Sequence, residues 1–176
     1  LSGGPKLNGK FRGEEVGSGT AVWQYSEAVR AGTMSGEDFL AAESCMSRSK
    51  GFCNTMGTAS TMACLVEAMG IALPQNAAIP AVDSRRNVLA HLTGRRIVQM
   101  VRDDLRPSQI LTEPALANAV RVCAAIGGST NVALHIPAIA YEADCELTMD
   151  RFEELCRGTP HIAKMNPAAA PNVPDF

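Results

Sequence analysis

A cysteine with glycines on either side, Cys53, stands directly before a run of small and apolar residues. The glycines allow a sharp backbone turn and a close approach to a bulky group. We expect Asn54, Thr55 and Thr58 to cap the helix that follows. A helix N-terminus stabilises a thiolate, which is the form of cysteine that binds metals and attacks carbon. The run therefore predicts a reactive or metal-bound cysteine.

The alternative for any single cysteine is a small buried hydrophobe, which is the commoner role of an unpaired cysteine. The six cysteines show neither a CxxC pair nor a zinc-finger spacing, and a chain of this length needs no disulfide framework. We therefore predict a reducing, cytoplasmic location. Five of the cysteines lie in helical or apolar contexts and are assigned to packing: Cys45, Cys64, Cys123, Cys145 and Cys156.

A second candidate site is the sequence Gly127-Gly128-Ser129-Thr130-Asn131. A glycine pair before a helix presents backbone N–H groups and hydroxyls to an anion, such as a carboxylate or a phosphate. Ser129 and Thr130 are the predicted anion-binding residues. The alternative is a helix–helix turn with a Ser/Thr cap, and no P-loop lysine follows the glycines.

Composition limits the class of protein. The chain has 176 residues, 46% of them hydrophobic and 19% charged, which is typical of a globular domain. The net charge of -2 and the absence of a basic run exclude a typical nucleic-acid binder. No apolar stretch is long enough to span a bilayer, and the first residues do not form a signal peptide. Because no initiator methionine is present and both ends are rich in glycine or proline, we expect a segment of a longer polypeptide.

The pattern of apolar residues, caps and breakers predicts a mostly helical chain with few strands. We interpret it as α/β, the helix-rich part of a layered domain whose sheet is completed by other parts of the polypeptide. Residues 1–20 are expected to form a loop with a short strand, residues 106–108 a turn and residues 162–165 a strand. Helices are predicted over 23–30, 35–48, 58–69, 85–102 (kinked or split at Gly94), 112–126, 132–143 and 148–157.

Several motifs in a fixed order resemble the dihydroxy-acid dehydratase / phosphogluconate dehydratase family. The resemblance extends over essentially all 176 residues. Its motifs are Gly3–Pro5, Cys53–Met62, Glu67–Gly70 with Leu73-Pro74, Thr93–Val98, Ile126–Asn131 and Leu147–Phe152.

The resemblance implies a hydro-lyase that converts a 2,3-dihydroxy acid or a sugar acid to a 2-keto acid. It implies an iron–sulfur cluster, [2Fe-2S] or [4Fe-4S], held by three cysteines, together with Mg²⁺ and a homodimer or homotetramer. Cys53 matches the last cluster cysteine of the family. The other two belong to upstream sequence, one of them in a Cys-Asp-Lys motif, and the serine base and a late Mg²⁺ glutamate lie beyond Phe176.

The resemblance also implies that residues 1–176 are the latter part of the N-terminal α/β domain and contain no catalytic base. The amino-acid sequences of Cys53–Gly57 and of the 76–81 loop resemble the sugar-acid branch more than the branched-chain amino-acid branch. Two other classes stay open. One is a non-catalytic anion-binding or assembly module of the same fold. The other is a thiol enzyme with Cys53 as nucleophile, for which the sequence offers no evident histidine partner.

Overall fold

The computed structural model describes residues 1–17, 19 and 21–167. These residues are helix-rich and include one small antiparallel sheet, which agrees with the predicted helix-rich part of an α/β domain. The strands are β1 (Gly9–Phe11) and β2 (Glu14–Val16). The helices are α1 (Ala21–Arg30), α2 (Gly36–Met46), α3 (Thr58–Ala68), α4 (Arg85–Arg102), α5 (Pro107–Ile110), α6 (Glu113–Ile126), α7 (Val132–Glu142) and α8 (Met149–Arg157).

A β-hairpin occupies residues 9–16, where the sequence predicted a loop with one short strand. Arg12 and Gly13 both have positive φ, 52° and 88°. Two such residues form the tight turn that matches the twist of paired strands. Strand β1 runs antiparallel to β2, with Gly9 opposite Val16. The hairpin and helices α1 and α2 share a small core made of Val16, Ala21, Ala42 and Met46.

The main core lies between α3, α6, α7 and α8. Leu65 of α3, Leu116 of α6 and Ile136 of α7 are almost completely buried there. Helix α6 has a proline in its first turn and ends at Gly127, whose φ of 61° is left-handed. This is the usual placement of proline and glycine at the two ends of a helix. The glycine therefore turns the chain from α6 into the segment before α7.

Helix α4 is a single helix, so of the two alternatives, two pieces or one helix kinked at Gly94, the division into two pieces is wrong. Gly94 has no left-handed φ, and a side chain at this position would meet nothing within 4 Å. Glycine inside a helix costs only about 1 kcal/mol relative to alanine, which is too little to end a helix of this length. Helix α4 leaves Val88 and Val101 largely exposed.

Two other local predictions are wrong. Residues 162–165 form no strand, because the N–H groups of Ile162 and Ala163 both donate to the carbonyl of Ala125 at the end of α6. The expected turn at 106–108 is instead the start of the short helix α5.

The helices predicted over 35–48 and 148–157 are confirmed as α2 and α8, and each begins with a hydroxyl N-cap. The Ser35 side chain accepts a hydrogen bond from the N–H of Asp38, and the Thr148 side chain accepts one from the N–H of Arg151. A hydroxyl at the N-cap satisfies a backbone donor that has no partner inside the helix.

Among the described residues, no helix combines the length and apolar character needed to cross a bilayer.

Candidate functional site

The position of Cys53 is fixed by a short ladder of backbone hydrogen bonds between the preceding residue and the N-terminal segment. The N–H of Phe52 donates to the carbonyl of Gly4 at 3.0 Å, and the N–H of Lys6 donates to the carbonyl of Phe52 at 2.9 Å. Gly51 has a φ of 130°, and a Cβ there would lie 2.7 Å from the backbone of Pro5. A glycine is therefore required for the two segments to approach this closely. We call residues 51–57 the Cys53 loop.

The thiol of Cys53 is half-buried and has a hydroxyl neighbour. Its Sγ lies 3.0 Å from Oγ1 of Thr55. Gly19 covers the pair on one side, because a Cβ at this glycine would lie 2.7 Å from Cγ2 of Thr55 and 3.3 Å from Sγ of Cys53. The hydroxyl of Ser60 donates to the carbonyls of Cys53 (3.1 Å) and Thr55 (2.8 Å). The loop is therefore fixed to the first turn of α3.

The expected capping of α3 by the Cys53 loop is wrong. The N-cap is Gly57, which has no side chain to accept a hydrogen bond. Asn54 is 2% exposed, and its Nδ2 donates instead to Oδ1 of Asn8 at 2.8 Å. Its Oδ1 is buried and has no partner within the described part of the chain. Asn54 therefore holds the loop against the N-terminal segment rather than capping the helix.

The second candidate site, which we call the Ser129 loop (residues 127–131), lies against the start of α3. The N–H of Ser129 donates to Oγ1 of Thr61 at 3.0 Å. Oγ of Ser129 lies 2.9 Å from Oγ1 of Thr58, which also accepts a hydrogen bond from Nδ2 of Asn131 at 2.8 Å. The structure thus brings the two predicted sites together at the N-termini of α3 and α7. Thr130 is exposed, whereas the N–H and hydroxyl of Ser129 are occupied within the chain.

A third segment, residues 161–167, contacts both loops and was not predicted to belong to a site, although a strand was expected at 162–165. The carbonyl of Asn166 accepts a hydrogen bond from the N–H of Met56 at 2.7 Å. The ring of His161 lies beside Gly127, where a Cβ would be 2.7 Å from Nε2. Sequence reasoning also missed Gly19. These residues come close to the two loops only because the fold brings distant chain segments together. No local sequence pattern predicts that they belong to the site.

Other cysteines have the properties expected of packing residues. Burial raises the pKa of Cys64 to about 11 and that of Cys123 to about 11. Burial also raises the pKa of Cys156. A raised pKa keeps a thiol protonated, and a protonated thiol is a poor metal ligand and nucleophile. No disulfide joins the six cysteines.

The described residues fit one ligand of an iron–sulfur cluster and do not fit a whole cluster. Cys53 is a half-buried thiol in a glycine-lined loop, which suits a bulky group. No group of three or more histidine, cysteine, aspartate or glutamate residues is placed to hold a metal ion within the described ranges. A metal centre built on Cys53 would take its further ligands from outside the described residues.

Comparison with known proteins identifies the family. The sequence profile described as dihydroxy-acid/6-phosphogluconate dehydratase N-terminal matches residues 1–176, which is the whole chain. The chain belongs to this family and corresponds to its N-terminal part. The resemblance of the ordered motifs is thereby confirmed.

Relatives of the chain include both branches of the family. It is 56% identical over 176 residues to L-arabinonate dehydratase of Rhizobium leguminosarum, covering 100% of this chain and 30% of that protein. It is 54% identical to L-arabonate dehydratase of Azospirillum brasilense, again with 100% and 30% coverage. It is 42% identical to dihydroxy-acid dehydratase of Moorella thermoacetica, with 100% and 32% coverage. The chain thus spans about a third of the length of these relatives.

Proposed function

We propose that this chain is part of a hydro-lyase that converts a sugar acid to a 2-keto acid. The reaction removes the proton from C2 and the hydroxyl from C3, releases water and leaves an enol that becomes the ketone. The observation that carries the proposal is the half-buried thiol of Cys53, presented by a glycine-lined loop beside the Ser129 loop in a member of a dehydratase family.

In this proposal Cys53 holds one iron of an iron–sulfur cluster, and the remaining protein ligands come from outside the described residues. Such a cluster with an open iron position supplies a Lewis acid for a departing hydroxyl. Because a metal-bound thiolate carries no proton, the hydroxyl of Thr55 would be the donor to the Cys53 sulfur, which lies 3.0 Å from Oγ1. Hydrogen bonds to sulfur ligands tune a cluster and fix its orientation. Mg²⁺ is proposed from the family and has no ligand set among the described residues.

We further propose that the Ser129 loop lines the space for the anionic substrate, with Thr130 as the exposed hydroxyl. Ser129 holds the loop in position through Thr58 and Thr61. The higher identity to the arabinonate dehydratases than to the dihydroxy-acid dehydratase supports a sugar acid as substrate. A branched-chain dihydroxy acid is the alternative. The turnover of L-arabinonate and of a branched-chain 2,3-dihydroxy acid by the encoded polypeptide would decide between them.

The test of the cysteine assignment is Cys53→Ser in the encoded polypeptide, purified without oxygen. We expect the variant to lose bound iron, visible absorption and dehydratase activity, because an alcohol does not replace a thiolate ligand. Cys145→Ser is the matched control, since Cys145 is also half-buried and its thiol lies near backbone carbonyls. An iron-loaded, active Cys53→Ser protein would contradict the proposal. Iron content and activity that fall equally in both variants would also contradict it.

We also propose that the polypeptide is a homodimer or homotetramer in a reducing compartment such as the cytoplasm. The lack of a disulfide among six cysteines supports a reducing compartment. The oligomer is proposed from the family alone. The molar mass of the encoded polypeptide in solution, measured by light scattering after size-exclusion chromatography, tests this point.

A further inference from the structure

Arg86, in the first turn of α4, is a buried cation with an incomplete set of partners. The residue is only 8% exposed to solvent. Nη1 donates to Oδ1 of Asn76 at 3.3 Å, which is a long bond to a neutral acceptor. Nε and Nη2 are buried and have no hydrogen-bond partner within residues 1–17, 19 and 21–167. Asn76 cannot neutralise the charge, and its Oδ1 is already shared with the N–H of Ser2.

Nε and Nη2, the two nitrogens of Arg86 without partners, are a pair with which arginine forms two parallel hydrogen bonds to a carboxylate. In this chain three other arginines use Nε and Nη2 together on one carboxylate. They are Arg85 on Asp83 (3.0 and 2.7 Å), Arg106 on Asp104 (2.9 and 3.1 Å) and Arg157 on Glu153 (3.0 and 2.6 Å). Those three arginines are exposed, and Arg86 is the buried one. The guanidinium fork matches the planar pair of carboxylate oxygens.

Because Arg86 is buried, the lack of a hydrogen-bonded anion beside its charge costs free energy. A buried charge is costly unless an opposite charge and hydrogen bonds compensate it. Burial lowers the pKa of Arg86, which has the same physical cause. The positive end of the α4 dipole adds to the positive potential at this position. Every one of these effects favours an anion beside Nε and Nη2.

The surroundings of Arg86 connect it to the Cys53 loop. Gly4 has a φ of 84°, and a Cβ there would lie 2.7 Å from both Nε and Nη2 of Arg86. The carbonyl of the same glycine accepts the hydrogen bond from Phe52, the residue before Cys53. The guanidinium therefore lies directly against the backbone ladder that delivers the thiol.

We propose that Arg86 is a carboxylate-binding site, filled by a carboxylate that is not among the described residues. The carboxylate has two possible sources, an aspartate or glutamate side chain elsewhere in the encoded polypeptide or the carboxylate of a bound hydroxy acid. The second source rests on the proposed function, whereas the first does not. Because Gly4 lies against Nε and Nη2, binding of the carboxylate requires the Gly3-Gly4 segment to be displaced.

A crystal structure of the encoded polypeptide, with and without L-arabinonate, tests the proposal directly. We expect a carboxylate oxygen within about 3.2 Å of Nε or Nη2 of Arg86. A protein carboxylate in both crystals identifies the first source, and arabinonate in the soaked crystal alone identifies the second. Water or backbone carbonyls as the sole partners of both nitrogens in both crystals would overturn the proposal.

Variants of Arg86 give an independent readout in solution. Arg86→Met removes the charge, Arg86→Lys keeps the charge without the fork, and Arg95→Met is the control on the exposed face of the same helix. For a protein carboxylate, we expect the melting temperature of Arg86→Met to fall well below that of Arg95→Met, with Arg86→Lys between them. For a bound hydroxy acid, we expect only the stabilisation by L-arabinonate to disappear. Equal melting temperatures and equal arabinonate stabilisation in all three variants would overturn the proposal.

The crystal measurement does not depend on whether any variant folds, and neither readout requires dehydratase activity. An Arg86 site with a protein carboxylate remains valid if Cys53→Ser keeps its activity. A failure of the Cys53 assignment and a failure of the Arg86 proposal are therefore distinguishable.

Discussion

Oγ1 of Thr58, in the first turn of α3, lies 2.9 Å from Oγ of Ser129, which comes 71 residues later in the chain. The contact joins the first turn of α3, which directly follows the Cys53 loop, to the Ser129 loop. Oγ1 of Thr58 also accepts a hydrogen bond from Nδ2 of Asn131 at 2.8 Å. Thr58, together with Thr61, which accepts the N–H of Ser129, therefore holds the Ser129 loop against the start of α3.

Thr58→Val should weaken this connection, because valine keeps the shape of threonine and loses both hydrogen bonds. We expect the free energy of unfolding to fall by about 1–2 kcal/mol, as for partly buried hydrogen bonds. Urea unfolding of the encoded polypeptide measures the change. Thr130→Val is the control, since Thr130 is exposed in the same loop, and it should change stability by no more than about 0.5 kcal/mol. Equal effects of the two substitutions would contradict the proposed role of Thr58.

Gly19→Ala should disturb the Cys53 thiol directly. The added Cβ would lie 2.8 Å from Oγ1 of Thr55 and 3.3 Å from Sγ of Cys53, so one or both side chains must move. We expect reduced iron content and at least about a tenfold loss of dehydratase activity, since a shift of about 1 Å near a reacting group has effects of this order or larger.

Gly36→Ala is the matched control for Gly19→Ala, because a Cβ at Gly36 would meet nothing within 4 Å. Gly36 is also the first residue of α2, where alanine is well tolerated. If Gly19→Ala retained full iron content and full activity, the close approach of Gly19 to the thiol would have no functional role.

The half-buried thiol of Cys64 should make the free energy of unfolding depend on alkaline pH. Its pKa is about 11 in the folded chain and near 9.0 for an unperturbed thiol, so the folded state keeps a proton that the unfolded state releases. The contribution is fully present below about pH 9 and is lost as the pH rises towards 11, with an upper size of about 2–3 kcal/mol. We expect Cys64→Ala to lose less unfolding free energy between about pH 8 and pH 11 than the wild type.

The comparison of slopes, rather than of absolute stabilities, isolates the titration of Cys64 from the packing lost in Cys64→Ala. Cys145→Ala provides the matched control at another half-buried cysteine. Identical pH dependence in wild type and Cys64→Ala would show that burial of this thiol does not hold its proton.

Local patterns were sufficient to predict several elements of the fold. The caps at Ser35 and Thr148 and the helix that ends at Gly127 depend on neighbouring residues, so their sequence signals survive in the structure. The strand expected at 162–165 does not form, because Ala125 accepts the hydrogen bonds of Ile162 and Ala163. Its apolar residues gave no sign that the carbonyl of a helix end would take the place of a neighbouring strand.

The sequence by itself determined the family, the helical character of the chain and Cys53 as the candidate metal ligand. These conclusions depend on motif order and on the local preferences of the backbone, which are both written along the chain. Only the tertiary structure decided that Thr58 meets Ser129, that Gly19 covers Cys53 and that Arg86 lies buried against Gly4. Each of these contacts joins residues far apart in the sequence. Their energies depend on packing and burial, which no local spacing encodes.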